Sequence, residues 1–490
     1  MVVIHLGPYH PDTPEVDIPI IDYSSREWRE DEEEEELEYV LPPTSPGQLP
    51  NIIFGCSVFG YGIYAPEEVI KSDFPLRVIK YAMKVGVTAF DTSPWYHPSE
   101  IILGRVLADL RKDPKYKRES YTLITKVGKY GPTREDHTYD LEVVKKSVER
   151  SLKRLGTDYL DVVYLHDVEY IASGPFIPAG NPLPYLFSSS LHTSSSSHVN
   201  STTINNNNNN DDDENVPSIN INNANNSNIN DHTNSPIITT NNDNGNYNDI
   251  NNTDSDSTPA LPSTYLNPPY HPLGPGDLEI LNSINLLRSL QRKGIIKSVG
   301  ISGYPLPLLL RISLLILHQT GQPLDIVQTY AHQTLLNSSL SHYVHAFRYH
   351  AKVKQVISAA PLAMGLLTSH GGPTWHPVHS GHVKDVLEAM IEAKEVCERK
   401  GERLEDVAGR YGFRDVYQHE TREQDGDGKG KEEKEGERIP VVVGCKSLEE
   451  FKGMLKDAKM AQGEEGREVE EEVREVFRRR GVEGYSWKNP

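Results

Sequence analysis

Four residues stand where short apolar runs end, and their types suit proton transfer. The first run of interest reads Ala89-Phe90-Asp91-Thr92-Ser93-Pro94-Trp95-Tyr96, so Asp91 and Tyr96 lie five apart. A second ends Leu123-Ile124-Thr125-Lys126, and a third ends Val162-Val163-Tyr164-Leu165-His166. A phenol beside an ammonium is more acidic, because the cation favours phenolate. A carboxylate near the ammonium keeps it charged and in place. A histidine opposite can hydrogen-bond the reacting oxygen. Asp91, Tyr96, Lys126 and His166 together would make an acid–base site acting on an alcohol or a carbonyl. Taken singly, each has a plainer reading: a loop cap, a packing aromatic, a solvated strand end, a satisfied core histidine. Their occurrence at the ends of three successive runs favours the chemical reading.

Such a site needs elements that bring these ends to one rim. Apolar runs occur at 52–56, 89–92, 121–126, 160–166, 297–302, 326–330, 356–360 and 441–445. They are apolar throughout, as expected of parallel strands covered on both faces. Between them lie helical patterns at 76–85, 101–110, 141–155, 278–291, 306–317, 335–347, 386–399 and 448–455, with Asp140 a plausible N-cap and Gly156 a plausible stop. Eight strand–helix pairs in strict order predict an α/β fold, the (β/α)8 TIM barrel, with catalytic groups at the C-terminal strand ends. A doubly wound sheet is the alternative, but no G-x-G-x-x-G follows the first run.

The chain has 490 residues and a net charge of −20. By length it would hold about three domains, yet much of it does not read as foldable. Residues 1–50 form a Pro-rich arm whose Glu32–Glu36 block repels itself. Residues 171–276 form an insertion in which Asn supplies 23 of the 53 residues from 200 to 252. Residues 414–438 form a second, charged and Gly-rich insertion. All three are expected to be disordered, since such compositions cannot bury enough apolar area to offset ordering entropy. One barrel remains: 51–170 with strands one to four, 277–413 with strands five to seven, and 439–490 with strand eight and C-terminal helices. The acidity sits largely outside it, −7 in residues 26–38 and −9 in 171–270. No concentrated basic face points to nucleic acid, and no run of 18 apolar residues points to a membrane. Three cysteines (Cys56, Cys397, Cys445) make no disulfide framework, so a cytoplasmic location is expected. Protein partners of the low-complexity segments are not legible.

The four residues resemble the tetrad of the aldo-keto reductase superfamily. Specific stretches carry the resemblance: Phe90-Asp-Thr-Ser-Pro-Trp-Tyr96 with Pro98-Ser-Glu-Ile-Ile-Leu-Gly104, and Ser147 through His166. Further stretches, Gly300-Ile-Ser-Gly-Tyr-Pro305, Ala360-Pro-Leu-Ala-Met-Gly-Leu-Leu367 and Gly372-Pro-Thr-Trp-His-Pro377, resemble the NAD-dependent aldose 1-dehydrogenases of fungi and plants. The resemblance implies oxidation of D-arabinose, or of L-galactose and L-fucose type sugars, at C1 to the aldonolactone, in D-erythroascorbate-type synthesis. It implies Ser302 and Gln328 at the nicotinamide, and Leu362, Gly365, Gly444 and Lys446 along the rest of the cofactor. Gly303 stands where the wider superfamily has Asn, and Ala359-Ala360 where it has a bulkier residue and a serine. Glu450 falls where NADP-dependent relatives carry Arg; a carboxylate repels a 2′-phosphate and suits a ribose hydroxyl, which favours NAD. Lys446 leaves NADP open, and Glu449 and Glu450 also suit any first helical turn. Trp95, Trp375 and His376 are candidate sugar contacts, Trp375 through its apolar face. Two rivals stay open: an NADP-dependent aldehyde or carbonyl reductase with the same tetrad, and a non-catalytic cofactor-sensing regulatory subunit.

Overall fold

In the computed structural model, eight parallel strands close on themselves. They are β1 (Ile52–Gly55), β2 (Ala89–Asp91), β3 (Thr122–Val127), β4 (Leu160–Leu165), β5 (Ile296–Gly303), β6 (Ile326–Tyr330), β7 (Gln355–Ala359) and, after the short β8 (Val416–Tyr417) and β9 (Gly436–Glu437), β10 (Val441–Val443). Neighbours run β1-β2-β3-β4-β5-β6-β7-β10 and back to β1. The expected (β/α)8 barrel is therefore the fold. The structure describes residues 9–15, 41, 48–61, 65–174, 261, 263–266, 268–379, 383–417 and 436–487. Most of the arm and of both insertions, with the disorder expected of them, lies outside these residues.

Although the strands are apolar on both faces, their alternation sorts two cores. Ile53, Ala89, Ile124, Val162, Tyr164, Ile326, Ile357, Ala359 and Val442 share one cluster. Their neighbours Phe54, Phe90, Leu123, Val163, Val327, Val356, Val441 and Val443 belong to the larger cluster that also holds the helix side chains. Side chains two apart on a strand share a face. Asp91 therefore follows Ala89, Lys126 follows Ile124, His166 follows Tyr164 and Gln328 follows Ile326 on the inward face. Register supports the alignment: Asp91 pairs Ile124, Lys126 pairs Tyr164, and Ser302 pairs Gln328.

Helix ends behave as the sequence indicates. Asp140 caps helix Leu141–Leu155, its carboxylate accepting from the Glu142 and Val143 N–H groups, and Gly156 ends it at φ 61. The helix expected from 335 begins at Leu340, because Asn337 turns the chain first: its side chain accepts from the Ser339 N–H at 3.0 Å. Besides the short Glu67–Lys71 and Ser263–Leu266, two helices lie outside the expected helical ranges: Leu404–Gly412 and Arg467–Arg479, the latter one of the C-terminal helices expected after strand eight. The second is mostly charged, and its stripe of Val469, Val473, Val476 and Phe477 packs with Ala389, Ala393 and Val396 of helix Lys384–Arg399.

Both insertions leave the barrel through tied ends. Asp277, fully buried, accepts from the Ser173 N–H (3.0 Å) and the Leu273 N–H (2.9 Å). Arg311 binds both oxygens of Asp277 (2.8 and 3.1 Å) and donates to the Ser173 carbonyl (2.6 Å). The second excursion is closed by the antiparallel β8–β9 pair and by Arg438 on Asp415 at 2.9 Å.

One stretch of the arm is docked. Tyr9–Glu15 lies along helix Leu141–Leu155, with Lys146 on Asp12 (2.7 Å), Arg150 on the Tyr9 and His10 carbonyls, and Arg154 on Glu15 (2.8 Å). Its short polar run gives basic side chains of that helix their partners.

Candidate active site

Lys126 is the centre of the rim. Its side chain is 1% exposed and that of Asp91 4%, and Nζ lies 2.5 Å from Asp91 Oδ1 and 3.0 Å from the Thr92 carbonyl. Burial pushes the Asp91 carboxyl up from its ordinary range, against the pull of the Lys126 ammonium. Tyr96 ends the 3-10 turn Pro94–Tyr96, which Ser93 caps by accepting the Trp95 N–H. The ammonium lies 4.9 Å from the Tyr96 ring centroid. His166 follows β4 directly, and its ring meets the Tyr96 ring edge-on at 5.8 Å. Burial drives the His166 pKa well below its usual value, so the imidazole is neutral. The structure thus brings the four expected side chains together.

Ser302 and Gln328 stand side by side on β5 and β6. Both are buried, and Ser302 Oγ and Gln328 Oε1 have no protein partner. A buried hydroxyl and amide oxygen left unpaired are costly, and a carboxamide offers the donor and acceptor they need. These residues fit a nicotinamide. Beyond β7 the backbone enters left-handed conformations at Ala360 (φ 55), Ala363 (φ 48), Met364 (φ 55) and Gly365 (φ 88), around half-buried Leu362. Non-glycine residues at positive φ are uncommon and cluster at ligand-binding turns. At Gly444 a Cβ would stand 3.1 Å from the Gly55 carbonyl oxygen, so the last strand approaches the first closely there. Helix Leu448–Met460 follows, with Ser447 accepting the Glu450 N–H at 3.0 Å. Glu450 turns back to accept the Lys446 N–H (2.9 Å), and its other oxygen lies 3.8 Å from Lys446 Nζ.

On the substrate side, Trp95 is half-buried, with Lys129 Nζ 5.3 Å from its ring centroid and Tyr9 edge-on at 5.8 Å. Trp375 is 42% exposed. His376 is buried, with Nδ1 accepting the Val378 N–H (3.1 Å) and Nε2 3.1 Å from the Ala363 carbonyl. Its two nitrogens hold the loop, which leaves Trp375 as the member of the pair a sugar could meet.

Sequence reasoning passed over Ser93, Lys129 and Asp167. Ser93 Oγ lies 3.0 Å from His166 Nδ1, and Lys129 Nζ lies 2.6 Å from Asp167 Oδ2. The available signal was adjacency: each is within three residues of a tetrad member.

A barrel with a buried lysine–carboxylate pair, a tyrosine and a neutral histidine on its C-terminal rim, beside a carboxamide-ready pair, defines an oxidoreductase that works with a nicotinamide cofactor. The family model described as "Aldo/keto reductase family" matches residues 51–462, and the chain belongs to that family. It is 26% identical over 389 residues to D-arabinose 1-dehydrogenase of Saccharomyces cerevisiae, covering 79% of this chain and 76% of that protein. It is 23% identical over 360 residues to L-galactose dehydrogenase of Arabidopsis thaliana, covering 73% and 74%. Among solved structures, a glycerol dehydrogenase from Gluconobacter oxydans aligns with TM-score 0.47 at 16% identity, covering 92% of this chain and 97% of that one. Among the described residues, no helix is long and apolar enough to cross a membrane, and no cluster of His, Cys, Asp and Glu could hold a metal.

Proposed function

We propose that the protein oxidises an aldose at C1 with NAD, releasing the aldonolactone. D-arabinose is the first candidate, with L-galactose and L-fucose as stereochemical neighbours and D-erythroascorbate-type synthesis as the setting. The observation that carries the reading is the Lys126–Asp91 pair, buried and 2.5 Å apart, beneath the Tyr96 ring. The sugars named for the two relatives supply the substrate class.

Asp91 and the Thr92 carbonyl fix the Lys126 ammonium. Its charge favours the phenolate of Tyr96, which then accepts the proton of the C1 hydroxyl. His166 hydrogen-bonds the same oxygen and holds the sugar in register. Ser302 and Gln328 would hold the carboxamide of the cofactor, Leu362, Gly365 and Gly444 would line it, and Trp95 and Trp375 would face the sugar ring. A bound nicotinamide would supply the acceptor for the C1 hydride. Glu450, a carboxylate tied to the backbone before the helix, disfavours a 2′-phosphate and supports NAD. The half-exposed Lys446 beside it keeps NADP-linked aldehyde reduction as the second reading. A regulatory, non-catalytic role would leave the buried charge pair without a purpose. Three free, buried cysteines suit a cytoplasmic setting.

A panel of aldoses assayed with NAD and NADP, beside simple aldehydes with NADPH, tests the reading. D-arabinose oxidation with NAD should dominate. Dominant NADPH-linked aldehyde reduction would replace it with the second reading.

A further inference from the structure

His166 is flanked on two sides by groups that the proton transfer itself does not require. Ser93 Oγ lies 3.0 Å from Nδ1, and Asp167 Oδ1 lies 3.8 Å from Nε2. Both residues are buried. Ser93 Oγ already accepts the Trp95 N–H at 3.1 Å. A hydroxyl has one proton and two lone pairs, so the Ser93 proton needs an acceptor, and Nδ1 is in reach. If Nδ1 carried the hydrogen instead, Ser93 would accept twice and bury an unused donor. The bare lone pair of Nε2 would then face the Asp167 carboxylate. Both sides of the ring thus favour a hydrogen on Nε2.

We propose that Ser93 and Asp167 are positioning residues that hold His166 as the neutral tautomer with its hydrogen on Nε2. The proposal rests on the reading of the rim as an alcohol-oxidising site. In that setting His166 meets the sugar oxygen only as a donor. The substrate hydroxyl must therefore send its own proton to Tyr96, and the proton has one exit. Asp167 is held in turn by Lys129 at 2.6 Å. The charged and titratable groups around the ring are Tyr96 edge-on to it, Asp167 just after β4, Lys126 on β3, and Lys129 and His137 from the segment after β3; burial first, then the two cations, keeps the ring neutral against the pull of Asp167. Ser93 also caps the turn that carries Tyr96, so one hydroxyl ties the acceptor tyrosine to the donor histidine. Asp167 sits at φ 50, a conformation that Asn adopts readily, so Asp167→Asn removes charge with little backbone strain.

The full chain labelled with 15N-histidine reports the tautomer directly, the His166 signals being assigned by their loss in His166→Gln. In the wild type Nε2 should be protonated and Nδ1 bare. Ser93→Ala and Asp167→Asn should each move hydrogen toward Nδ1 and lower kcat about tenfold, the equivalent of one net hydrogen bond. The KM for NAD should stay unchanged, and Ser93→Thr should restore the wild-type signal. A wild-type ring protonated at Nδ1, or a tautomer unmoved in both variants, overturns the proposal. Because the spectrum needs no turnover, a protein that oxidises no sugar would refute the proposed function and leave the tautomer assignment to stand or fall separately.

Discussion

Replacing Lys126 by Met would leave the Asp91 carboxylate buried without its ammonium. Breaking such a pair costs about 3–5 kcal/mol. The loss has a ceiling, because the stranded carboxylate can take a proton. Against an ordinary carboxyl value of 3.8, protonation at pH 8 costs roughly 6 kcal/mol, and at pH 5.5 only roughly 2 kcal/mol, at about 1.4 kcal/mol per pH unit. The ceiling lies above the pair-breaking cost at pH 8 and below it at pH 5.5. Lys126→Met should thus lose about 4 kcal/mol relative to wild type at pH 8 and about 2 kcal/mol at pH 5.5. The double variant Asp91→Asn/Lys126→Met removes the stranded charge and should recover much of the pH 8 loss. Urea denaturation of the full chain, followed by far-UV circular dichroism at both pH values, measures all of these. A loss independent of pH, or a double variant as unstable as the sum of the singles, would show that the two groups do not act as a buried pair.

Other outcomes follow from the same geometry. Tyr96→Phe should abolish sugar oxidation, at least about 100-fold in kcat, while calorimetry shows NAD binding retained; retained turnover would remove Tyr96 as the proton acceptor. His97, His137 and His376 are buried, and burial lowers each to about 4. Their unfolded forms bind protons below about pH 6.5 while the folded forms do not, so stability should fall as pH drops from about 6.5 to about 4 and level off below. Each should contribute about 1–2 kcal/mol after allowance for partial solvent screening, read as a falling urea midpoint. Arg311→Ala strips Asp277 of its cation and should cost about 3 kcal/mol in the same assay. Replacing residues 175–260 by a short linker should leave the KM for the sugar within about twofold, provided Asp277 and Arg311 are kept; a larger change would mean that the insertion reaches the substrate.

The barrel was legible because its strands are short apolar runs separated by helical spacing, and the tetrad because polar residues end those runs. Which face each strand turns inward was not legible, since Ile52, Ile53 and Phe54 look alike in sequence and part only when the barrel closes. C-terminal helices were expected, but the range of Arg467–Arg479 was hidden by its charge: its few apolar residues stand out only against Ala389, Ala393 and Val396. The docking of Tyr9–Glu15 was hidden for a similar reason, because its partners Lys146, Arg150 and Arg154 lie more than a hundred residues away. Ser93 was in view beside Asp91, yet its bond to His166 spans 73 positions and belongs to the folded rim alone. Glu450 could be read from sequence as either a helix acid or a cofactor selector, and its bond to the Lys446 N–H fixes the carboxylate at the helix start, a position that serves both roles.

The knot of Ser173, Leu273, Asp277 and Arg311 makes the barrel indifferent to what is threaded between β4 and its helix. Lengthening a connection from a few residues to about a hundred adds only roughly 3 kcal/mol of closure entropy, since that cost grows with the logarithm of length. A buried, charge-tied root that holds the two chain ends against each other is of a size to offset it. The position is therefore a natural port for grafting: a reporter domain with neighbouring termini could be spliced between Gly174 and Leu261, keeping Leu261, Tyr265 and Tyr270 packed on the barrel, without asking the enzyme to refold around it.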